Sequence, residues 1–458
     1  MLTCLLLTSN IGSLISKPHL EPEWMQQICD VLAGTQPDIF AIHLQEINGQ
    51  VGSSHVSRLE NFLGTLLERI HLEHSSQRGF IIFNSEGTSV DDPEFTALGS
   101  MYWFRTDQHL IESWDYTACR FVPSTDEIVR HISNNQLRKT SGSHFETHLD
   151  QRRFPADMFP SGIASRKGFI RTRWRIDGCV VEFVNIHLFN DSDNVISVKE
   201  HPSIYAQCRA RGLRWLMELI NSDRVPGQHV AIFGDFNFRL NLPALLERLR
   251  HGEQASLSLE LLEPGGTNCL HPLAPKDCEP YPASLNAKTS DQLLMSDCDV
   301  NRTVIIGRRV FDLHGILADH WKYSNDLLSF DTEVNVFADQ LKELPITFPP
   351  SYPFEADSSD PHAYAGTRCP AWCDRILFSP NMLAKLRPPI EPSGNTCPVT
   401  YDMLAKDSTV GDHKTFRSLW HATPERTFYV WQFCNLGRSR PRFTWEQRIR
   451  KKISFLAF

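Results

Sequence analysis

The 12 cysteines are scattered through 458 residues with no CxxC pair and no regular small-domain spacing. That excludes a disulfide framework and a thiolate zinc site, and leaves reduced thiols. An excess of basic charge is also missing: 46 Lys and Arg stand against 54 Asp and Glu, a net charge of −8. Proteins whose main partner is nucleic acid normally carry a basic surface to neutralise phosphates, so that class is disfavoured. No apolar run is long enough for a membrane span. The opening MLTCLLLTSN lacks a basic flank and a small-residue cleavage site, and it reads as a first buried strand ending at Asn10. There is no internal repeat. The expectation is a cytoplasmic globular chain, large enough by size alone for two or three domains.

What is present is one theme repeated: an apolar strand, a polar residue at its end, then a loop or helix. Residues 38–46 end at Glu46, 179–189 reach His187, 229–235 end at Asp235, and 374–378 start from Asp374. Amphipathic helices are expected near 21–33, 56–72, 203–221 and 326–342. In 56–72 the stripe is Val56, Leu59, Leu63, Leu66 and Ile70. Strands mixed with helices, and β-rich stretches such as 97–104, predict a layered α/β domain with two sheets packed face to face. Two long irregular stretches, 115–160 and 264–303, read as lids or inserts.

Two segments carry the chemistry. Residues 229–239, HVAIFGDFNFR, run out into Gly234 and then present Asp235 and Asn237, two apart, which in extended chain point the same way. Residues 368–377, RCPAWCDRIL, put Asp374 and Arg375 where the pattern wants core, and buried charge is costly unless paired or bound to a metal. The strand-end residues Asn10, Glu46, His187, Asp235, Asn237, Asp374, Asp412 and His413 are carboxylates, amides and histidines. That set suits a hard cation such as Mg²⁺ and the attack of water on a phosphate ester. His43 reads as a buried, hydrogen-bonded core histidine, and Cys208 as a helix-face residue. Arg375 reads as structural, with Asp374 open to pairing with it. Cys434 in CNLGRSR has the C-x-x-G-x-x-R spacing of cysteine phosphatases, but Phe433 replaces their histidine.

GDFNFRL and PAWCDRIL closely resemble the two signatures of inositol polyphosphate 5-phosphatases, in the endonuclease/exonuclease/phosphatase superfamily. Further resemblance runs through TSNIGS, LQE at 44–46, SRKGFIRTRW at 165–174, VNIHL at 184–188, FPPSYP at 348–353 and GDHK at 411–414. It covers about residues 1–414 and looks most like the type I branch, which acts on soluble inositol phosphates. It implies a four-layered α/β sandwich, two packed mixed β-sheets flanked by helices, and a Mg²⁺-dependent hydrolase. The implied substrates are inositol 1,4,5-trisphosphate and the 1,3,4,5-tetrakisphosphate, and the implied role is to end calcium-mobilising signals. Carried over by position, Glu46, Asn10 and Asp412 are metal-side residues and Asp235 orients or deprotonates the water. Asn237 and His187 contact phosphate, Asp374 and His413 form a pair, and Lys167, Tyr352 and Arg368 grip ring phosphates. A nuclease of the same superfamily and a catalytically dead inositol-phosphate-binding protein are the competing functions.

Two departures stand out. Pro353 occupies the place where lipid-acting members carry a basic residue, which fits a soluble substrate. After GDHK the family has a short apolar strand, whereas here Thr415, Phe416 and Arg417 follow. Residues 415–458 therefore read as an atypical basic segment: an insertion over 415–451, then a last strand from ISFLAF at 453–458, with FYVWQF at 428–433 as the alternative. Residues 437–452 hold seven Arg and Lys against one Glu, a solvated tail or a weak contact with an anionic membrane surface through 438–452. The family's Cys-a-a-X prenylation box is not expected, since the chain closes on FLAF. The implied protein is a monomer, cytoplasmic and peripheral at the plasma membrane at most.

Overall fold

The first strand, β1 (Leu2–Asn10), shows how this sequence makes layers. Cys4 and Leu6 face the core between two sheets, while Leu5 and Leu7 face helices on the other side. A strand covered on both faces reads as one apolar run rather than as an alternation. The structure, a computed structural model, describes residues 2–47, 53–70, 75–82, 97–123, 146–159, 167–251, 258–261, 303–313, 325–356, 358–386, 400–404 and 411–422.

The other strands are β2 (Ile39–Gln45), β3 (Ser75–Ile82), β4 (Leu98–Arg105), β5 (Ile111–Asp115), β6 (Arg120–Pro123), β7 (Asp150–Arg153), β8 (Gly168–Ile176), β9 (Cys179–His187), β10 (His229–Asp235), β11 (Ser258–Leu261), β12 (Thr303–Gly307), β13 (Val310–Leu313), β14 (Lys342–Glu343), β15 (Asp374–Phe378), β16 (Thr400–Met403) and β17 (Phe416–Ala422). The first sheet has the order β16-β17-β1-β2-β4-β3. The second runs β14-β15-β10-β9-β8-β5-β6, with β7 on β8. Each is mixed, with one parallel pair, β1–β2 and β9–β10 respectively.

One core lies between the sheets and joins Cys4, Ala41, Tyr102 and Phe104 to Trp174, Phe183, Ala231, Phe233 and Ile376. On the outer face of the first sheet, α2 (Glu21–Thr35) buries Trp24, Met25, Ile28 and Leu32, and α3 (Ser53–Arg69) adds Leu59, Leu63 and Leu66. On the outer face of the second, α5 (Ile204–Ser222) buries Leu213, Leu216 and Ile220 against Val184, Ile186 and Ile232. Its N-terminus is capped by Ser203, whose hydroxyl accepts from the Ala206 N–H at 3.2 Å. The result is the expected four-layered sandwich. Among the described residues no helix is long and apolar enough to cross a membrane. The remaining helices are α1 (Gly12–Ser16), α4 (Asn194–Lys199), α6 (Leu242–His251) and α7 (Pro380–Leu386).

Three expectations are corrected. The helix expected at 326–342 is two short 3₁₀ segments, Asn325–Phe330 and Glu333–Phe337, followed by β14. Asp331 pairs with Arg375 and Glu333 with Arg209, on different elements. Residues two apart do not share a helix face, so one helix could not deliver both carboxylates inward. The stretch 115–160 is not wholly irregular, since β6 and β7 extend the second sheet.

The third correction concerns the end of the domain. Phe416–Ala422 pairs antiparallel with β1 from Leu2↔Ala422 to Thr8↔Phe416, so a strand joins the first sheet directly after Thr415, where the sequence reads as the start of an insertion. The sheet therefore continues past 414 rather than waiting for an insertion to end. Residues 428–433, Cys434, the basic stretch 438–452 and 453–458 lie outside the described residues, as does 264–302.

Gly234 is the tightest backbone approach in the second sheet. A Cβ there would sit 2.0 Å from the Ile186 carbonyl oxygen on β9, a backbone clash that no rotamer relieves. Gly234→Ala is expected to destabilise the domain by about 3 kcal/mol, read as a lower midpoint in urea unfolding. An unchanged midpoint would mean that β9 and β10 do not meet in this register.

Candidate active site

Strand register assembles the site. In the β9–β10 pair His187 stands opposite Asp235, and in β10–β15 Asp235 stands opposite Asp374. Gly168 is opposite His187, which brings Lys167 to the same edge. In the first sheet Asn10 and Gln45 share a rung, with Glu46 next along the chain. Because a one-residue slip would turn every buried side chain outward, the apolar cores that fix register also fix these strand ends.

Asp235 is the centre, 1% exposed. Its Oδ2 accepts from Asn10 Nδ2 at 3.1 Å and lies 3.1 Å from His187 Nε2, while its Oδ1 accepts from the Asn237 backbone N–H at 2.9 Å. Burial pushes the carboxyl up, but His187, then His413 and Lys167, outweigh it and hold Asp235 far below the usual carboxylate range. Asn237 does not continue the strand. Its φ is +52°, so it shares the site with Asp235 through an Asx turn rather than through strand alternation. Its amide is fixed at both ends: Nδ2 donates to the Leu188 carbonyl at 3.1 Å, and Oδ1 accepts from Arg239 Nη2 at 2.7 Å.

Lys167 and His187 are in direct contact, and both face the Glu46 carboxylate, at 3.6 and 3.7 Å from Oε1. Burial first, then the Lys167 charge, lowers the His187 pKa. A neutral ring at this position accepts from the lysine or donates to Asp235, not both. Glu46 sits in the left-handed region at φ +57°, a costly backbone for a non-glycine residue. It is also closely backed, since a Cβ on Gly12 would lie 2.6 Å from Glu46 Oε2 and 3.4 Å from Asn10 Oδ1. Glycine keeps that oxygen-lined space open.

His413 and Asp374 form the second half. His413 Nδ1 is 2.9 Å from Asp374 Oδ2, and the ligand atoms of Asp235, Asp374 and His413 all lie within 4.8 Å of one another. Burial would depress His413, yet Asp374, then Asp235 and Asp412, raise it to about 10. Burial, partly offset by His413, raises Asp374 to about 6. At neutral pH the pair is thus imidazolium and carboxylate. Asp374 therefore pairs with His413 and not with Arg375, which points to the opposite face and bonds Glu343 at 2.8 Å and Asp331.

The loop carrying His413 is tied on both sides. Asp412 N donates to Ser13 Oγ at 2.9 Å, Phe354 N donates to the Asp412 carbonyl at 2.9 Å, and Lys414 N donates to the Ser351 carbonyl at 3.1 Å. Tyr352 packs its ring 4.3 Å from His413. Arg368 sits at the rim and donates to the carbonyls of Asp191, Arg308 and Thr367 at 3.1–3.2 Å. Asp412 contributes through its charge on His413 and Tyr352. Glu46 and Asn10 put oxygens around the space beside Gly12, and with the Asp412 carboxylate they make an all-oxygen set whose chemistry fits a hard cation. The compact group of Asp235, Asp374 and His413 does not include Glu46 or Asp412.

Sequence reasoning passed over four contributors. Arg239 lies inside the quoted GDFNFRL, two residues from Asn237, and that spacing was the available signal. Gln45 and Asn185 bridge the sheets beneath the site: Gln45 Nε2 donates to Asn185 Oδ1 at 2.8 Å, and Asn185 Nδ2 donates to the Gly99 carbonyl at 2.9 Å. Ser351 accepts from the N–H groups of Cys373 and Asp374 at 2.9 and 3.1 Å, and its place in the quoted FPPSYP was the available signal. His43 is a core residue, as expected: its ring stacks 3.5 Å from Phe233, and Nε2 meets the Tyr102 hydroxyl at 2.9 Å.

A family model described as Endonuclease/Exonuclease/phosphatase family 2 matches residues 320–414. Inositol polyphosphate-5-phosphatase A of Rattus norvegicus is 32% identical over 416 residues, which cover 90% of this chain and 91% of that one. A Caenorhabditis elegans protein named probable type I inositol 1,4,5-trisphosphate 5-phosphatase is 30% identical over 441 residues, 90% and 98% of the two chains. Among solved structures, the 5-phosphatase domain of a synaptojanin, with inositol (1,4)-bisphosphate and calcium, gives a loose likeness. It covers 92% of this chain and 84% of that one at 13% identity and a TM-score of 0.42.

Asp374→Asn keeps the shape of the side chain and removes the charge that holds His413 as imidazolium. The expected loss in kcat for phosphate-ester hydrolysis is about 10²-fold or more. His413→Asn should lose as much, and the double variant should be little worse than either single one. Fully additive losses would show that the two do not act as a unit.

Proposed function

Since the chain belongs to the type I inositol polyphosphate 5-phosphatases, phosphoric monoester hydrolases that remove the 5-phosphate of inositol phosphates, we propose that its own substrates are soluble. We name inositol 1,4,5-trisphosphate and the 1,3,4,5-tetrakisphosphate, with Mg²⁺ as the metal and the ending of calcium-mobilising signals as the role. The observation that carries the mechanistic part is the group formed by Asp235, Asp374 and His413, whose ligand atoms all lie within 4.8 Å of one another.

In this reading Asp235 accepts a hydrogen bond from the attacking water and aligns it. Its strongly lowered pKa favours orienting over proton storage. His413, charged and aimed by Asp374, donates to the phosphoryl oxygens as negative charge develops there. Asn237 Nδ2 has one N–H on the Leu188 carbonyl and a second for the phosphoryl group. Lys167 adds a donor on the other side, with His187 beside it holding Asp235, and Tyr352 and Arg368 hold the outer ring phosphates. Glu46, Asn10 and Asp412 would hold Mg²⁺, which when bound supplies Lewis-acid stabilisation of phosphate oxygen. The net charge of −8 disfavours a polynucleotide as the main partner.

The test is phosphate release from inositol 1,4,5-trisphosphate, from phosphoinositide micelles and from nicked DNA, each with and without Mg²⁺. Hydrolysis of the soluble trisphosphate that EDTA abolishes is the expected result. Activity that survives EDTA, or activity on DNA alone, would overturn the reading, and inertness toward all three would leave a binding protein. Glu46→Gln should raise the Mg²⁺ concentration for half-maximal rate, because a neutral amide is a poorer ligand for a hard cation. Asp235→Asn should lower kcat by about 10²–10⁴-fold with substrate binding retained.

A further inference from the structure

Two arginines lie behind the site and they are built differently. Arg209 on α5 has its guanidinium fully engaged, two-pronged on Glu333 at 2.7 and 2.8 Å, with Nη1 on the Phe189 carbonyl at 3.0 Å and on Asp191. It is a fastener. Arg239 is 7% exposed, yet no carboxylate forms a hydrogen bond with its guanidinium among the described residues. Nη2 donates to Asn237 Oδ1 at 2.7 Å, the guanidinium lies 4.8 Å from the Tyr352 ring centroid, and Nε and Nη1 are buried with no hydrogen-bond partner. Its backbone N–H donates to Glu333 at 3.1 Å, and Asp191 acts on the guanidinium through its charge without a hydrogen bond.

A buried donor without a partner costs stability, and native structures carry few of them. Arg239 therefore forgoes the pairing that Arg209 has, and what it reaches instead are two residues of the proposed site. Its contact with Asn237 has a definite chemical consequence. A guanidinium only donates, so it must face the amide oxygen, and this fixes which end of Asn237 is nitrogen. With one Nδ2 hydrogen on Leu188, the other has a single direction left. Its contact with Tyr352 holds one face of a ring that also packs against His413.

We propose that Arg239 is a positioning residue for phosphoryl transfer. It locks the Asn237 amide with an N–H toward the transferred phosphoryl group and at the same time seats Tyr352 against His413. One cation thereby couples the reacting phosphate to the grip on the rest of the substrate. The inference rests on the roles given above to Asn237 and Tyr352.

The experiment is a double-mutant cycle on phosphate release from inositol 1,4,5-trisphosphate, with kcat and KM measured separately and melting temperature recorded for each variant. Arg239→Met should lower kcat by about 10²-fold, the cost of misplacing a reacting contact, and should raise KM through Tyr352. In an Asn237→Ala background the same change should lower kcat by less than about threefold, because additive terms between uncoupled sites agree only within such a factor. Arg239→Lys keeps the charge and the buried stem but loses the planar fork, so it too should lose kcat while staying folded. If Arg239→Met does not fold, the cycle is run with Arg239→Lys.

Equal fold-losses in both backgrounds, or wild-type kcat in Arg239→Lys, would overturn the inference and leave the proposed function standing. Full activity in Asn237→Ala, or an inert wild-type protein, would overturn the role of Asn237 or the substrate, and the inference with it.

Discussion

A fully buried carboxylate at the junction of two sheets is the constraint from which the rest of this structure follows. Left alone, an ionised Asp235 in the protein interior would cost many kcal/mol or take up a proton. It is kept charged by donors from three places: Asn10 from the first sheet, His187 from the neighbouring strand, and the backbone of Asn237. The bond from Asn10 crosses from one sheet to the other, so it survives only if the sheets cannot slide. The polar seam beneath it, Gln45 to Asn185 to the Gly99 carbonyl, supplies that lock. Apolar packing alone tolerates small shifts, whereas a buried amide that loses its partner does not. Gly234 serves the same end by letting β10 lie close against β9 one residue before the carboxylate.

The two histidines of the site are pushed in opposite directions, and their neighbours decide which way. Both are buried, and burial disfavours the charged ring in each. For His187 the contacting Lys167 adds repulsion and the pKa falls. For His413 three carboxylates, Asp374 foremost, reverse the effect of burial and raise it. One site thus holds a neutral and a cationic imidazole at the same pH, and environments that split like groups in this way are how acid and base roles are divided. Glu46 marks the open side, at 30% side-chain exposure, with Gly12 leaving room next to its oxygens.

Strand ends were the legible part of the sequence. An apolar run that stops on a polar residue is a local signal, and β1, β2, β9, β10 and β15 stand where the runs predict, with Asn10, Glu46, His187, Asp235 and Asp374 at or beside their ends. Features that depend on long-range partners were not legible. Asp331 and Glu333 break the helix expected over 326–342 because Arg375 and Arg209 draw them apart. Phe416–Ala422, interrupted by Arg417 and Ser418, does not look like a core strand, yet β1 and β16 pair it from either side. Backbone pairing needs no particular side chain, so apolar patterning under-reports such a strand. Asn237 reaches the site through a turn that depends on the Asp235 carboxylate and not through strand periodicity, so only the signature GDFNFRL marks it correctly.

The adjacent pair Asp374-Arg375 shows how one signature serves both fold and site. Consecutive strand residues point to opposite faces, so the aspartate faces His413 while the arginine enters the other layer and bonds Trp372, Glu343 and Asp331. Neither charge neutralises the other, and each is satisfied by a partner distant in sequence. Breaking the Arg375 cluster would leave buried carboxylates unpaired at the start of the strand that aims Asp374. The same logic extends to the rim. Arg368 is held by three backbone carbonyls rather than left to swing, and Tyr352 is held between Arg239 and His413. Both would meet a polyphosphate already in place, so little side-chain entropy remains to be lost on binding. A rim held in place before the ligand arrives favours a small, rigid, multiply charged ring over a flexible chain, which is the substrate class proposed here.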